Sequence, residues 1–223
     1  MTISEPAHAN PHIERAGTPL HQATGVVVLL HGRGASAHDI LGLAQALNLP
    51  GLAFLAPQAV NSTWYPNSFM APRASNEPWL TSALEMVHSV VDLAISTGLP
   101  TDRIALTGFS QGACLATEFI ASHPARFAGL LAFTGGLIGE PGANLHHPGS
   151  LSGTPVFFGS GDPDPHVPWS RIVESAAVLT AMDAQVTTRR YPGRPHTITA
   201  EELSLGRNLL STAFPEASFV VIP

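Results

Sequence analysis

Six short apolar runs, separated by segments with helical spacing, constrain the fold more strongly than any other feature of the sequence. The runs are VVVLL (26–30), LAFLA (52–56), RIALTG (103–108), GLLAFTG (129–135), PVFFGSG (155–161) and QVTTRRYPG (185–193). Most are continuous rather than alternating, which is typical of strands buried on both faces of a parallel sheet. Because strands and helices alternate, we predict an α/β fold: a doubly wound, mostly parallel sheet flanked by helices, in a single domain.

The segments between and after these runs predict helices, and the remaining residues predict loops. Helices are expected in HDILGLAQAL (38–47), EPWLTSALEMVHSVVDLAIS (77–96), QGACLATEFIAS (111–122), VPWSRIVESAAVLTAM (167–182) and TAEELSLGRNLLSTA (199–213). Residues 1–24 are expected to form an N-terminal tail or a short edge strand around HIERAG, and residues 25–223 the α/β domain. The loops 57–78 and 136–154 are too long for simple turns, and loops of this length are usually functional.

The composition argues against several classes of protein. Charged residues make up only 12% of the chain, the net charge is −6, and no run of Lys or Arg occurs. Neither disorder nor a nucleic-acid partner is therefore expected. A single cysteine, Cys114, excludes an intramolecular disulfide. The first residues lack the basic and apolar regions of a signal peptide, and the apolar runs are too short to span a bilayer. We expect a soluble, cytoplasmic protein without stable membrane insertion.

Ser110 occupies the centre of the motif GFSQG (108–112), between a predicted strand and a predicted helix. A turn this sharp forces the serine into a strained backbone conformation, and flanking glycines remove Cβ atoms that would clash. The N-terminus of the following helix can stabilise negative charge at the same point. This strand–turn–helix setting predicts a nucleophilic serine.

A nucleophilic serine needs a histidine as its base and a carboxylate that orients the histidine. In this setting the carboxylate and then the histidine follow the serine along the chain, on loops after later strands. The acid candidates are Asp162 and Asp164, just past the fifth apolar run, whereas Asp183 lies at a helix end. Position alone does not decide between the first two, and Asp162 can instead cap the loop.

His196 is the candidate base, because it lies on the loop after the last predicted strand. Its rival is His166, but that residue is only two positions from Asp164, a separation at which two side chains more often point apart. The remaining histidines lie in the N-terminal tail, on helices or helix ends, or on a loop after the wrong strand: His8, His12, His21, His38, His88, His123, His146 and His147.

Two backbone N–H groups are expected to hold the negative oxygen that develops during acyl transfer. One belongs to Gln111, directly after the serine. The other is assigned to Arg33, in the loop HGRG (31–34) after the first central strand. Gly32 and Gly34 allow this loop to fold inward, and His31 is expected to be a structural hydrogen-bonding residue.

Four segments together resemble the phospholipase/carboxylesterase branch of the α/β-hydrolases, which includes bacterial carboxylesterases and acyl-protein thioesterases. They are LLHGRGAS (29–36), GFSQGACLA (108–116), GSGDPDPHVP (159–168) and YPGRPHTIT (191–199). The resemblance implies an α/β-hydrolase fold and serine ester hydrolysis without a metal or cofactor, with Asp164 as the acid and His196 as the base. Dienelactone hydrolases share the fold but have cysteine in place of Ser110, and Cys114 is expected to be a buried packing residue.

We therefore expect a serine carboxylesterase that hydrolyses small to medium esters through an acyl-enzyme. Candidate residues of the substrate pocket lie in the loop 57–78 and just after it: Trp64, Phe69, Arg73, Glu77 and Trp79. One alternative is an acyl thioesterase or lysophospholipase, which would use the same catalytic groups. Another is a non-catalytic binding protein for a small molecule, because a fold does not guarantee an activity. An exposed apolar strip would permit a homodimer, which nothing in the sequence requires.

Overall fold

A mostly parallel sheet runs through the middle of the protein. The computed structural model describes His8 and residues 12–215. Within these residues the strands are β1 (Ile13–Gly17), β2 (Gly25–Leu30), β3 (Leu52–Pro57), β4 (Ile104–Phe109), β5 (Gly129–Phe133), β6 (Pro155–Asp162) and β7 (Gln185–Pro192). Their order across the sheet is β1-β3-β2-β4-β5-β6-β7. Strand β1 is antiparallel to β3, and every other neighbouring pair is parallel.

Helices cover both faces of this sheet. They are α1 (Ala37–Leu47), α2 (Trp79–Ile95), α3 (Gln111–Ser122), α4 (Trp169–Ala181) and α5 (Ala200–Ala213). Strand β2 illustrates why both faces need cover. Val26 and Val28 pack into one core cluster with α2, α3 and α4, whereas Val27 and Leu29 pack into a second cluster with α1 and α5. Successive side chains of a strand point to opposite faces, so a continuous apolar run is buried only between two layers of helices.

The α/β architecture predicted from the apolar runs is confirmed. Each predicted strand and helix lies within two residues of its observed bounds. Strands β2 and β3 are buried along their whole length, whereas β7, at the edge, alternates between half-buried and exposed residues. The segment HIERAG contains β1, which belongs to the same sheet as the other strands.

Two glycines allow α3 to lie directly against the sheet. A Cβ atom on Gly108, at the end of β4, would stand 2.4 Å from the backbone of Gly112. A Cβ atom on Gly112 would stand 2.1 Å from the carbonyl oxygen of Leu30, at the end of β2. Both contacts are with backbone atoms that cannot rotate away, so only glycine permits the turn between β4 and α3.

Replacing Gly112 with alanine is expected to destabilise the protein by about 1–3 kcal/mol or more, because the added methyl group must displace α3 from β2. The free energy of unfolding in urea measures this effect. Gly42→Ala is the matched control, since Gly42 lies within α1 and a Cβ there meets nothing within 4 Å. The control should gain up to about 1 kcal/mol, the helix propensity difference between the two residues. Equal stability of Gly112→Ala and the wild type would contradict the close approach.

Candidate active site

Ser110 stands at the turn between β4 and α3, in a left-handed backbone conformation with φ 54° and ψ −119°. Residues other than glycine rarely adopt such a φ, and a strained backbone conformation of this kind persists only where the surrounding structure fixes it. Here two hydrogen bonds fix the residue. Its N–H donates to the carbonyl oxygen of Phe133 at 3.0 Å, and its own carbonyl accepts from the N–H of Cys114 at 3.0 Å. The turn therefore holds the Ser110 side chain at the carboxyl ends of β4 and β5.

Asp164 and His196 are hydrogen-bonded to each other, with 2.8 Å between Oδ2 of the aspartate and Nδ1 of the histidine. The Asp164 side chain is fully buried. Its other oxygen, Oδ1, accepts hydrogen bonds from the backbone N–H groups of His166 and Val167, each with an N–O distance of 2.9 Å. Burial alone would raise the pKa of Asp164, but the hydrogen bonds from His196 and the two N–H groups outweigh it and lower the pKa. The carboxylate thus stays ionised and fixed in direction.

The other two acid candidates lie away from His196. Asp162 forms an ion pair with Arg190, with 2.5 Å between Nε and Oδ2, where β6 and β7 end side by side. Asp183 follows α4 in a left-handed conformation, and its carbonyl oxygen accepts the N–H of Gly153. Of the two aspartates that position left open, the structure brings Asp164 to the histidine.

Ser110 and His196 line the same cleft, which has a volume of about 660 Å³. A second hollow of about 290 Å³ continues beyond His196. We call these the larger lobe and the smaller lobe; they share Gly32, Ala35, Phe109 and His196. The His196 ring packs against Phe109, with 4.9 Å between ring centroids. Since Nδ1 faces Asp164, Nε2 is the nitrogen left to face the cleft.

Arg33 and Gln111 both line the larger lobe beside Ser110. Among the described residues, neither backbone N–H has a hydrogen-bond acceptor. For Gln111 this follows from its position in the first turn of α3, where backbone N–H groups have no partner within the helix. The Gln111 side chain is occupied elsewhere: it accepts the N–H of Trp64 at 3.1 Å and donates to the carbonyl oxygen of Tyr65 at 2.8 Å. Two free N–H groups thus remain beside the serine, and the loop 57–78 is tied to α3.

Of the aromatic residues that the sequence proposed for the pocket, the structure places Phe69 on the wall of the larger lobe. Trp64 lies beneath the loop that follows β2, fully buried, and its indole N–H donates to the carbonyl oxygen of His31 at 2.8 Å. Trp79 lies farther away, with its ring 5.7 Å from that of His8. Neither tryptophan lines the cleft, because Trp64 is buried beneath it and Trp79 packs, half-buried, against the core at the start of α2.

The two charged residues proposed for the pocket also lie elsewhere. Arg73 forms an ion pair with the fully buried Glu118 of α3, with 2.5 Å between Nη1 and Oε1. Glu77 accepts the N–H of Thr81 at 3.0 Å in the first turn of α2. Both residues therefore hold the C-terminal part of the loop 57–78 in place rather than line the cleft.

His166 lines the larger lobe, and the sequence reasoning considered it only as a rival base. Its ring meets the His196 ring edge to face, with 4.9 Å between centroids, while its backbone N–H donates to Asp164. The motif GDPDPHVP contains the only sequence signal for this position, since it places His166 next to the acid. The backbone contact and the ring contact both depend on how the loop turns, which spacing does not reveal.

A buried ion pair fixes the loop that holds His196. Arg194 donates from Nη1 to Oε2 of Glu202 at 2.6 Å and to the carbonyl oxygen of Thr197, and from Nη2 to Oγ1 of Thr134 at 3.0 Å. Glu202 is fully buried and also caps the start of α5 through the N–H of Thr199. Burial raises the pKa of Glu202, while the Thr199 hydrogen bond and the Arg194 charge oppose that shift. The pair joins the residues on both sides of His196 to β5 and α5.

Replacing Arg194 with methionine should cost about 3–5 kcal/mol of stability, because it leaves the Glu202 carboxylate buried without its cation. Arg190→Met is the matched control: it removes an arginine whose side chain is 56% exposed from its pair with Asp162. Loss of an exposed pair is expected to cost at most about 1 kcal/mol. Chemical denaturation of the two variants measures the difference. The same loss of stability in both would contradict the anchoring role of Arg194.

Three features meet at one cleft: a serine on a strained strand–helix turn, a histidine held by a buried carboxylate, and two free N–H groups. Together they define the class of the serine hydrolases with an α/β-hydrolase fold. A family model described as Phospholipase/Carboxylesterase matches residues 9–213. The chain belongs to this family, which confirms the resemblance read from the four sequence segments.

Among solved structures, the chain is similar to a phospholipase/carboxylesterase from Dyadobacter fermentans. It is 46% identical, the match covers 90% of this chain and 96% of that one, and the TM-score is 0.87. Acyl-protein thioesterase 1 of Schizosaccharomyces pombe is 26% identical, over 80% of this chain and 86% of that protein. Acyl-protein thioesterase 1 of Neurospora crassa is 27% identical, over 59% of this chain. The chain spans only 54% of the length of the Neurospora protein.

Neither a membrane-spanning helix nor a metal-binding cluster occurs among the described residues, His8 and 12–215. No helix in that part of the chain is both long and apolar enough to cross a membrane. No group of three or more His, Cys, Asp or Glu side chains there could hold a metal ion.

Proposed function

We propose that the protein is a serine carboxylesterase that hydrolyses small to medium carboxylic esters through an acyl-enzyme. The observation that carries the proposal is the 2.8 Å hydrogen bond between Asp164 and His196, in the cleft that Ser110 lines. The volume of the larger lobe supports small to medium substrates, because pockets for small molecules typically measure about 300–1,000 Å³.

The proposed reaction begins when His196 takes the proton of Ser110 as the serine Oγ attacks the ester carbonyl. The carboxylate of Asp164 keeps the imidazole proton on Nδ1 and stabilises the positive charge that forms on the ring. The N–H groups of Arg33 and Gln111 donate hydrogen bonds to the negative oxygen. His196 then protonates the leaving alcohol, and water repeats the sequence on the acyl-enzyme.

An acyl thioesterase or lysophospholipase is the second candidate, and the thioesterases among the similar proteins favour it. The proposed catalytic groups would serve a thioester equally well, so the two differ only in substrate. A non-catalytic binding protein is the third candidate. In a binding protein the strained backbone of Ser110 would serve no function. Strained residues cluster at functional sites, so the strain of Ser110 favours an enzyme.

We expect the wild type to hydrolyse 4-nitrophenyl acetate and butyrate, and Ser110→Ala to lower kcat by at least about 10⁴-fold, because the nucleophile is lost. Assays with an acyl thioester in parallel separate the first two candidates by comparing kcat/KM. A folded wild-type protein that turns over neither esters nor thioesters would favour the binding protein and would contradict the proposal.

Asp164→Asn should lower kcat by about 10⁴-fold, since an amide cannot hold the imidazole in the required tautomer. Asp162→Asn is the matched control, two residues away at the end of β6, and it loses only an ion pair whose arginine is 56% exposed. Its kcat should stay within about threefold of the wild type. Comparable losses in both variants would count against Asp164 as the orienting acid.

Two expectations from the sequence remain predictions alongside this function. One is the cytoplasmic location, and the other is the possible homodimer. The proposed chemistry needs neither, because the described residues of one chain supply every catalytic group.

A further inference from the structure

The larger lobe has an unusual distribution of charge. The chain carries a net charge of −6. Yet among the described residues that line this lobe, none is Asp or Glu, and Arg33 is the one with a permanent charge. The two histidines that also line it, His166 and His196, carry no negative charge. The wall of the lobe therefore carries one fixed positive charge although the protein as a whole is acidic, and a cleft lined by one sign of charge attracts ligands of the opposite sign.

The Arg33 guanidinium is held in place without being neutralised. Nη1 donates to the carbonyl oxygen of Pro66 at 2.9 Å, and Nη2 donates to those of Tyr65 and Asn67 at 2.9 and 2.7 Å. Within the described residues no carboxylate lies within 4.0 Å of it, whereas four other arginines pair with one: Arg73, Arg171, Arg190 and Arg194. Three of its five N–H donors are used and two remain. A cation fixed in this way loses little conformational freedom when it binds an anion.

The smaller lobe differs in character. Its wall contains Ile40, Leu43 and Ile198, and Asp39 is the charged residue on it. An anion placed there would meet a carboxylate and apolar side chains. The larger lobe thus favours an anionic end of a substrate, and the smaller lobe favours an apolar end.

The proposed chemistry assigns the two ends. Ser110 and Gln111 line only the larger lobe, whereas Thr197 and Ile198 line only the smaller lobe. The acyl group is bonded to Ser110 in the intermediate, so it occupies the larger lobe. His196, which gives the alcohol its proton, lines both lobes, so the smaller lobe is the space left for the alcohol.

We propose that the preferred substrates are esters whose acyl group carries a second, ionised carboxylate, which pairs with the Arg33 guanidinium, and whose alcohol is apolar. This inference rests on the proposed function. The Arg33 guanidinium lies one side-chain length from the backbone N–H proposed to hold the ester oxygen. A few methylene groups between the two carboxyl carbons therefore suit the site, as in monoesters of short dicarboxylic acids.

The test compares kcat/KM for monomethyl adipate, which is anionic, with that for methyl hexanoate, which is neutral, by titration of the released acid. At low ionic strength we expect an advantage of about fivefold for the anionic ester, the value of one partly exposed charge pair. The advantage should shrink at high salt. As a control, 4-acetoxybutanoate carries its carboxylate on the alcohol side, and it should show no advantage over butyl acetate.

Two variants separate the charge of Arg33 from its structural role. Arg33→Gln and Arg33→Lys both lose contacts to the loop carbonyls, so each is judged by its own ratio of anionic to neutral ester. The ratio should fall to about one in Arg33→Gln and stay near the wild-type value in Arg33→Lys, which keeps the charge. An unchanged ratio in Arg33→Gln would overturn the inference.

The inference and the proposed function fail in different ways. A wild type that hydrolyses methyl hexanoate and monomethyl adipate equally well would overturn the charge preference while leaving the esterase intact. A wild type that hydrolyses none of these esters, nor the 4-nitrophenyl esters, would overturn the proposed function itself.

Discussion

The close approach of α3 to the ends of β2 and β4 is the constraint on which the rest of the site depends. Gly108 and Gly112 leave no room for a Cβ atom, so the chain must turn from strand to helix within one residue, Ser110. That turn gives the serine its positive φ and directs the first N–H groups of α3 toward the same point. The loop after β2 reaches this point from the neighbouring strand and brings Arg33 to the cleft that Gln111 also lines.

The loops around the cleft are fixed by polar groups buried behind them. Glu118 of α3 forms an ion pair with Arg73 of the loop 57–78. It also accepts a hydrogen bond from the N–H of Ile138 in the loop 136–154. On the other side, Arg194 and Glu202 hold the segment that contains His196. Burying these charges is costly unless each finds its partners, so the pairs exclude other loop arrangements. The scaffold therefore positions the candidate catalytic groups through contacts that never touch a substrate.

The sequence was sufficient for the fold and for the residues at strand ends, and insufficient for the pocket wall. Apolar runs and helical spacing placed β2 to β7 and helices α1 to α5, because burial on two faces leaves a clear pattern, whereas β1 was expected only as an alternative to a tail. Topology limited the acid to Asp162 or Asp164 and favoured His196 as the base, and the family resemblance selected Asp164. The direction of a side chain within a long loop leaves no such pattern. Trp64 was expected in the pocket and instead fills the space beneath it, while the Arg33 side chain, chosen only for its N–H, forms part of the wall.

A crystal structure of the protein after reaction with a fluorophosphonate is the most direct test of the proposed active site. We expect a covalent bond from phosphorus to Oγ of Ser110, a phosphoryl oxygen within hydrogen-bond distance of the N–H groups of Arg33 and Gln111, and Nε2 of His196 beside the adduct. A label on another residue, or a phosphoryl oxygen that points away from both N–H groups, would contradict it.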